Sequence, residues 1–120
     1  DHFKSINDNF GHPVGDRVLV ALAKLLESNI RPQDVVARWG GEEFILLFPD
    51  TRQSEALLVC ERIRMSIESA HFESVKTVTV SIGLSGNEAG EGLNRLIKRV
   101  DMKLYHAKER GRNRVETQLG

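Results

Sequence analysis

Two adjacent glycines, Gly40 and Gly41, separate two apolar runs and are followed at once by two glutamates in ARWGGEEFILLFPD (37–50). Phe44-Ile45-Leu46-Leu47-Phe48 is a short continuous apolar run closed by Pro49-Asp50, which reads as a strand buried on both faces. Upstream, Val35-Val36-Ala37 and Trp39 read as a second strand. Strands joined by Gly-Gly predict a hairpin, because a two-residue primed turn needs positive φ, which glycine adopts without steric cost. The turn puts Glu42 and Glu43 at a hairpin tip, and strand alternation sends their side chains to opposite faces.

The rest of the chain adds helices around that hairpin. Phe3, Ile6 and Phe10 lie at helical spacing, and Gly11 ends the turn. A longer helix runs from Pro13 to about Arg31 on Val14, Val18, Leu22, Leu25, Leu26 and Ile30, with Pro32 where it stops. Ala56, Cys60, Ile63 and Ile67 repeat the pattern between Ser54 and Ser69. KTVTVSIGLSG (76–86) alternates strictly, Val78, Val80, Ile82 and Leu84 facing one way and Thr77, Thr79 and Ser81 the other, as in a half-buried strand. After a polar loop, Leu93, Leu96, Ile97, Val100, Leu104 and Ala107 mark a last helix stopped by Gly111, and RNRVET (112–117) reads as a short final strand. The order α-α-β-β-α-β-α-β predicts an α/β sandwich.

At 120 residues the chain allows one domain with one core. Lys plus Arg (17) equals Asp plus Glu (17), so no global field recruits a polyanion, and duplex nucleic acid is not an expected partner. Phosphate binding would need a local cluster. The single cysteine, Cys60, cannot form an internal disulfide, and it lies on an apolar helix face as inert core. No apolar run approaches the ~20 residues of a membrane span. These features predict a cytoplasmic domain without membrane contact of its own, in a parent protein that could still be membrane-anchored. The chain begins with Asp1 rather than methionine, so it is expected to be a piece of something longer.

Gly40-Gly41-Glu42-Glu43-Phe44, DHFKSINDNFGHPVGDRVL (1–19), VSIGLS (80–85) and VDMKLYHAKERGRNRV (100–115) together resemble the GGDEF-domain diguanylate cyclases, in the GGEEF form and in that family's order and spacing. The resemblance covers nearly the whole chain, as one domain over 1–120. It implies a fold like that of nucleotidyl cyclases and polymerase palms, with a central, mostly antiparallel sheet flanked by helices. It also implies condensation of two GTP into cyclic di-GMP with release of two pyrophosphates, on a homodimer in which each domain holds one GTP. The cofactor implied is Mg2+ or Mn2+. An N-terminal sensory or dimerising domain is implied in the parent protein.

By the same resemblance, Glu42 is the metal-proximal carboxylate and proton acceptor and Glu43 supports the metal, with the division of labour between them left open. Gly40 and Gly41 make the turn and clear space for the nucleotide. Asn7 and Asp16 would read guanine, with His12 nearby, since a carboxylate accepts from the N1 and 2-amino donors and an amide can donate back. Lys4, Lys108 and Arg112 would contact phosphates. The four-residue spacing of Lys108 and Arg112 predicts one shared helix face, where cations also suit a helix C-terminus. Arg31 and Asp34 form an R-x-x-D at the family's offset from the glycines, which with Arg62 resembles its inhibitory site for cyclic di-GMP. His71 and His106 match no site, and Trp39, Met65 and Met102 read as packing.

The family's first strand ends in D-x-D, and this chain starts on the second aspartate. That strand and a further aspartate ligand for the metal are therefore expected upstream, and the chain as it stands is expected to be inactive. The alternative to a cyclase is a catalytically inactive domain that binds cyclic di-GMP or GTP. A third reading is a related nucleotidyl cyclase or palm enzyme with the same two-metal chemistry.

Overall fold

The computed structural model describes residues 1–72, 75 and 77–118. Its elements follow the predicted order: α1 (Phe3–Phe10), α2 (His12–Ser28), β1 (Val35–Gly40), β2 (Glu43–Leu47), α3 (Gln53–Ser69), β3 (Ser81–Gly83), α4 (Leu93–Glu109) and β4 (Arg114–Glu116). The sheet structure forms two pieces, with β1 antiparallel to β2 and β3 parallel to β4. The fold is mixed α/β, four helices flanking two small sheets, as in a palm-like GGDEF domain.

Gly11 separates the first two helices by serving both. Its φ of +89° ends α1, its N–H bonds Asn7 O at 2.8 Å, and it stands at the N-cap of α2 ahead of Pro13. α2 stops at Ser28, earlier than Pro32 suggested, because Asn29 caps it, its N–H bonding Leu26 O and its side-chain amide bonding Leu25 O.

The main core joins Ile6 of α1, Val18, Leu19, Leu22 and Leu26 of α2, and Ile63 and Ile67 of α3 to Phe72, Val75 and Val78. Ile63 and Ile67 are fully enclosed, so truncating either to alanine removes roughly 2–5 kcal/mol. Val36, Phe44 and Leu46, from one face of the hairpin, pack on this core. The expectation of a β2 buried on both faces is corrected here. Val35 pairs with Leu47 on the other face, and both are exposed because no described element covers them. Trp39 is likewise 55% exposed rather than packed, where the register shifts between Arg38 and Gly40, and Met65 and Met102 lie on outward helix faces.

A second, smaller cluster forms around Ala56, Cys60 and Leu84, with Phe48, Ile82 and Val115 against it. Here β3 passes so close to α4 that a Cβ on Gly83 would lie 2.5 Å from Leu104 N and closer still to Val100 O. The predicted strand over 76–86 shortens to Ser81–Gly83, although Val78 and Leu84 are buried as the alternation required. Ser81–Gly83 pair with β4 and the Leu84 N–H also bonds Glu116 O at 3.0 Å; Lys76 lies outside the described residues.

Candidate active site

The hairpin turn falls one residue later than the glycine pair suggested. Gly40 pairs with Glu43, leaving Gly41 and Glu42 as the two central residues. Only Gly41 has left-handed φ (+37°), the pattern of a turn that needs positive φ at its first central position alone. Glu42 is thus a turn residue and Glu43 the first residue of β2, both exposed. Arg38 braces the tip from β1, its Nε donating to Gly41 O at 2.7 Å.

Glu42 faces the chain start. It lines a cavity of about 70 Å³ with Asp1, Phe3, Ile6 and Phe44 among others. The Asp1 backbone nitrogen donates to Thr79 O at 2.9 Å. The Asp1 carboxylate accepts from Ser81 Oγ at 2.7 Å, Thr79 Oγ1 at 2.8 Å and the Asn113 N–H at 3.1 Å. Glu42, Lys108 and Arg112, from segments far apart in sequence, lie close enough to the Asp1 nitrogen to act on it electrostatically.

Lys108 and Arg112 do not share a helix face as predicted, because α4 ends at Glu109. The chain then takes three left-handed residues in succession, Gly111 (φ +115°), Arg112 (+64°) and Asn113 (+45°), and the Arg112 N–H bonds Ala107 O at 2.9 Å. Among the described residues nothing ion-pairs with Lys108 or Arg112 or accepts from their side chains, which leaves both cations available. Lys4 is exposed on α1.

Gly15, the residue before Asp16, lets Asn7 approach α2. A Cβ there would overlap Asn7 Oδ1 and approach Phe3 Cζ to 3.2 Å, so only glycine lets the Asn7 amide lie against α2. Asn7 Oδ1 is buried with no hydrogen-bond donor among the described residues, a costly state. Asp16 is exposed and lines a cleft of about 550 Å³ between α2 and the hairpin, with Glu27, Arg38 and Phe44. His12 is exposed at the start of α2.

No group of three or more His, Cys, Asp or Glu side chains among the described residues could hold a metal ion. The Asp1 carboxylate is occupied by its three donors, so Glu42 and Glu43 are the carboxylates left at the tip. That donor set fits magnesium, which takes one or two carboxylates and completes its shell with phosphate oxygens and water.

Away from the tip, Asp34 is buried and binds Arg31 by both oxygens: Oδ1 accepts from Nη2 at 2.8 Å, and Oδ2 from Nε at 3.1 Å and the Arg31 backbone N–H at 2.9 Å. Arg31 Nη2 also donates to Thr51 Oγ1. Hydrogen bonding to Arg31 holds the Asp34 carboxyl below its ordinary value, and the same bond raises Arg31. Arg62 does not touch this pair. Its Nε donates to Asn29 Oδ1 at 3.2 Å and its Nη2 to Asn29 O at 2.5 Å, which ties α3 to the segment leading into Arg31.

Several residues that shape these sites were not singled out from the sequence. Thr51 and Asn29 act through contacts across the fold that no local pattern announces. Arg38 had a signal, standing two residues before the glycines. Lys103 is 7% exposed within the apolar stripe of α4, its pKa pushed down by burial and then by Arg99, with Glu116 and Glu88 opposing. No helix among the described residues is long and apolar enough to cross a membrane.

Residues 1–114 match the family described as "Diguanylate cyclase, GGDEF domain". The chain is 51% identical over 115 residues to the diguanylate cyclase DgcM of Escherichia coli, covering 96% of this chain and 28% of that protein. It is 48% identical over 122 residues to the response regulator PleD of Caulobacter vibrioides, covering 96% of this chain and 27% of that protein. The chain thus spans under a third of the length of either relative. Its fold is similar to the coiled coil and GGDEF domain of DgcB from Caulobacter crescentus in complex with c-di-GMP (TM-score 0.92, 34% identity, 98% of this chain and 65% of that one). It is similar also to the active GGEEF domain of a diguanylate cyclase from Vibrio cholerae (TM-score 0.89, 38% identity, 98% of this chain and 78% of that one). This chain belongs to the GGDEF-domain family of diguanylate cyclases.

Proposed function

We infer that the protein carrying this chain is a diguanylate cyclase that condenses two GTP into cyclic di-GMP and two pyrophosphates, with each domain of a homodimer holding one GTP. The observation that carries this reading is the hairpin tip itself, where Gly41 makes the turn and the exposed Glu42 faces Asp1 across a shared cavity. Glu42 accepts the 3′-hydroxyl proton and, with Glu43, holds Mg2+ or Mn2+. When bound, that ion would neutralise charge on the triphosphate. Lys4, Lys108 and Arg112 bind phosphate and stabilise charge developing on the departing pyrophosphate. The unpartnered Asn7 Oδ1 and the cleft-lining Asp16 receive the base, beside His12. Gly40 and Gly41 keep the tip open to the nucleotide; a Cβ on either would meet nothing within 4 Å.

The domain is proposed to include a strand ahead of Asp1. Residues 77–80 alternate like a strand yet pair with no described strand, while Asp1 already bonds Thr79 along its backbone. A strand leading into Asp1 would supply the remaining carboxylate near Glu42. An N-terminal sensory or dimerising domain and cyclic di-GMP inhibition through Arg31, Asp34 and Arg62 complete the reading.

The test uses the natural protein carrying this chain, with GTP and Mg2+, and separates cyclic di-GMP and pyrophosphate. Glu42→Gln is isosteric at an exposed tip, so it should leave the melting temperature unchanged and lower turnover by at least about 10²-fold. Near-normal turnover in that variant overturns the assignment. Cyclic di-GMP binding without any product from the unmodified protein would establish the receptor alternative.

A further inference from the structure

Asn113 carries two side-chain bonds that the roles above leave unused. Its Oδ1 accepts from Arg64 Nη1 at 3.1 Å, and its Nδ2 donates to Glu68 Oε2. Both partners lie on α3. Arg64 is itself fixed, donating to Glu61 Oε2 from Nε at 3.2 Å and from Nη2 at 3.0 Å, with a side chain only 18% exposed. The Asn113 backbone N–H bonds the Asp1 carboxylate at 3.1 Å. An amide is the group this place requires, because it must accept from a guanidinium and donate to a carboxylate at once. Asparagine also tolerates the left-handed φ of +45° better than most residues.

Arg112, immediately before it, is left-handed as well (φ +64°), a strained conformation for an arginine that persists only where the surroundings impose it. The surroundings here are Ala107 O on one side and Asn113, clamped between α3 and Asp1, on the other. We propose that Asn113, held by Arg64 and Glu68, is a positioning residue that fixes the Arg112 guanidinium toward the triphosphate. The inference rests on the reading of Arg112 as a phosphate contact. It makes α3 a structural support of the active site, on the same helix whose Arg62 grips the segment before Arg31.

The test is steady-state kinetics of the natural protein with GTP and Mg2+. Asn113→Gly keeps the left-handed backbone and removes both links to α3. It should raise KM for GTP about tenfold or more. In an Arg112→Ala background the same change should add nothing further, since its effect passes through that side chain. The Asn113→Asp/Glu68→Gln pair exchanges donor and acceptor across one contact and should restore KM, which a loss of general stability would not allow. Should Asn113→Gly melt below the assay temperature, Glu68→Ala, on a half-exposed side chain, carries the same test with a smaller rise. An unchanged KM while Arg112→Ala raises it overturns the positioning role and leaves the phosphate contact standing. Full additivity with Arg112→Ala overturns it too. A silent Arg112→Ala removes the underlying reading of Arg112, and this inference with it.

Discussion

The buried carboxylate of Asp34 commits both oxygens to Arg31, binding its Nε, Nη2 and backbone N–H together. Asp34 therefore sets the attitude of the arginine and keeps no oxygen in reserve for a ligand. Arg31 Nη1 carries no hydrogen bond among the described residues, and the side chain is 41% exposed.

Arg31→Ala should weaken cyclic di-GMP binding between ~10- and ~100-fold, the scale of a lost charge-assisted hydrogen bond. The initial rate should persist, because Arg31 takes no part in the cluster around Asp1. Calorimetric titration with cyclic di-GMP checks this, and unchanged affinity would remove the inhibitory-site reading. Asp34→Asn should lower affinity as well, by loosening Arg31 rather than by losing a contact.

The same pair predicts a pH dependence. Asp34 has its carboxyl held below the ordinary 3.8 by Arg31, so its contribution to stability is present above that value and is lost as pH falls through the lowered one. Acid melts of the unmodified domain and Asp34→Asn should therefore converge at the acid end and separate as pH rises past about 4. Curves that stay parallel throughout would show that the pair adds nothing to folding.

Two glycines should respond in opposite ways to alanine. At Gly83 the new Cβ meets the backbone of α4, which cannot move aside, so the change should cost about 3 kcal/mol or more and lower the melting temperature sharply. At Gly15 the obstacle is the end of the Asn7 side chain, and a helical glycine gains about 1 kcal/mol on conversion to alanine. Gly15→Ala should keep or raise stability while displacing Asn7 and raising KM for GTP. A lowered melting temperature with unchanged KM would contradict this account.

Burial, and then Glu61, push the Cys60 thiol up to about 12. A folded pKa above the unfolded 9.0 means that the stability Cys60 contributes is full below about 9 and declines as pH rises toward 12. Relative to Cys60→Ala, the slope should reach at most ~1.4 kcal/mol per pH unit. Native protein should also resist thiol reagents at pH 8, and rapid labelling there would refute the burial.

Element order was legible because apolar periodicity reports which face is buried, and Val18, Leu22, Ile63 and Ile67 obey it. The sequence pattern failed where a long-range partner decides the outcome. Strand alternation over 76–86 could not reveal that the pairing with β4 covers Ser81–Gly83 alone, and the apolar run of β2 gave no sign that its outer face lies uncovered. Helical spacing pairs Lys108 with Arg112, yet Lys108 lies in the last turn of α4 and Arg112 in the left-handed turn beyond it. The roles of Asp1 and Asn113 depend on contacts across the whole chain, which no local window contains.

The displaced hairpin turn separates the two glycines of the signature. Gly41 has the left-handed backbone, whereas Gly40, just past the register shift, has no positive φ and has open space where a side chain would go. Folding thus makes a demand at 41 and none at 40, and Gly40→Ala should melt like the unmodified domain while turnover falls. Under the proposed function, the need for glycine at 40 comes from a molecule that the chain meets after it has folded. On that reading one half of the signature is a rule of folding and the other room kept for the substrate.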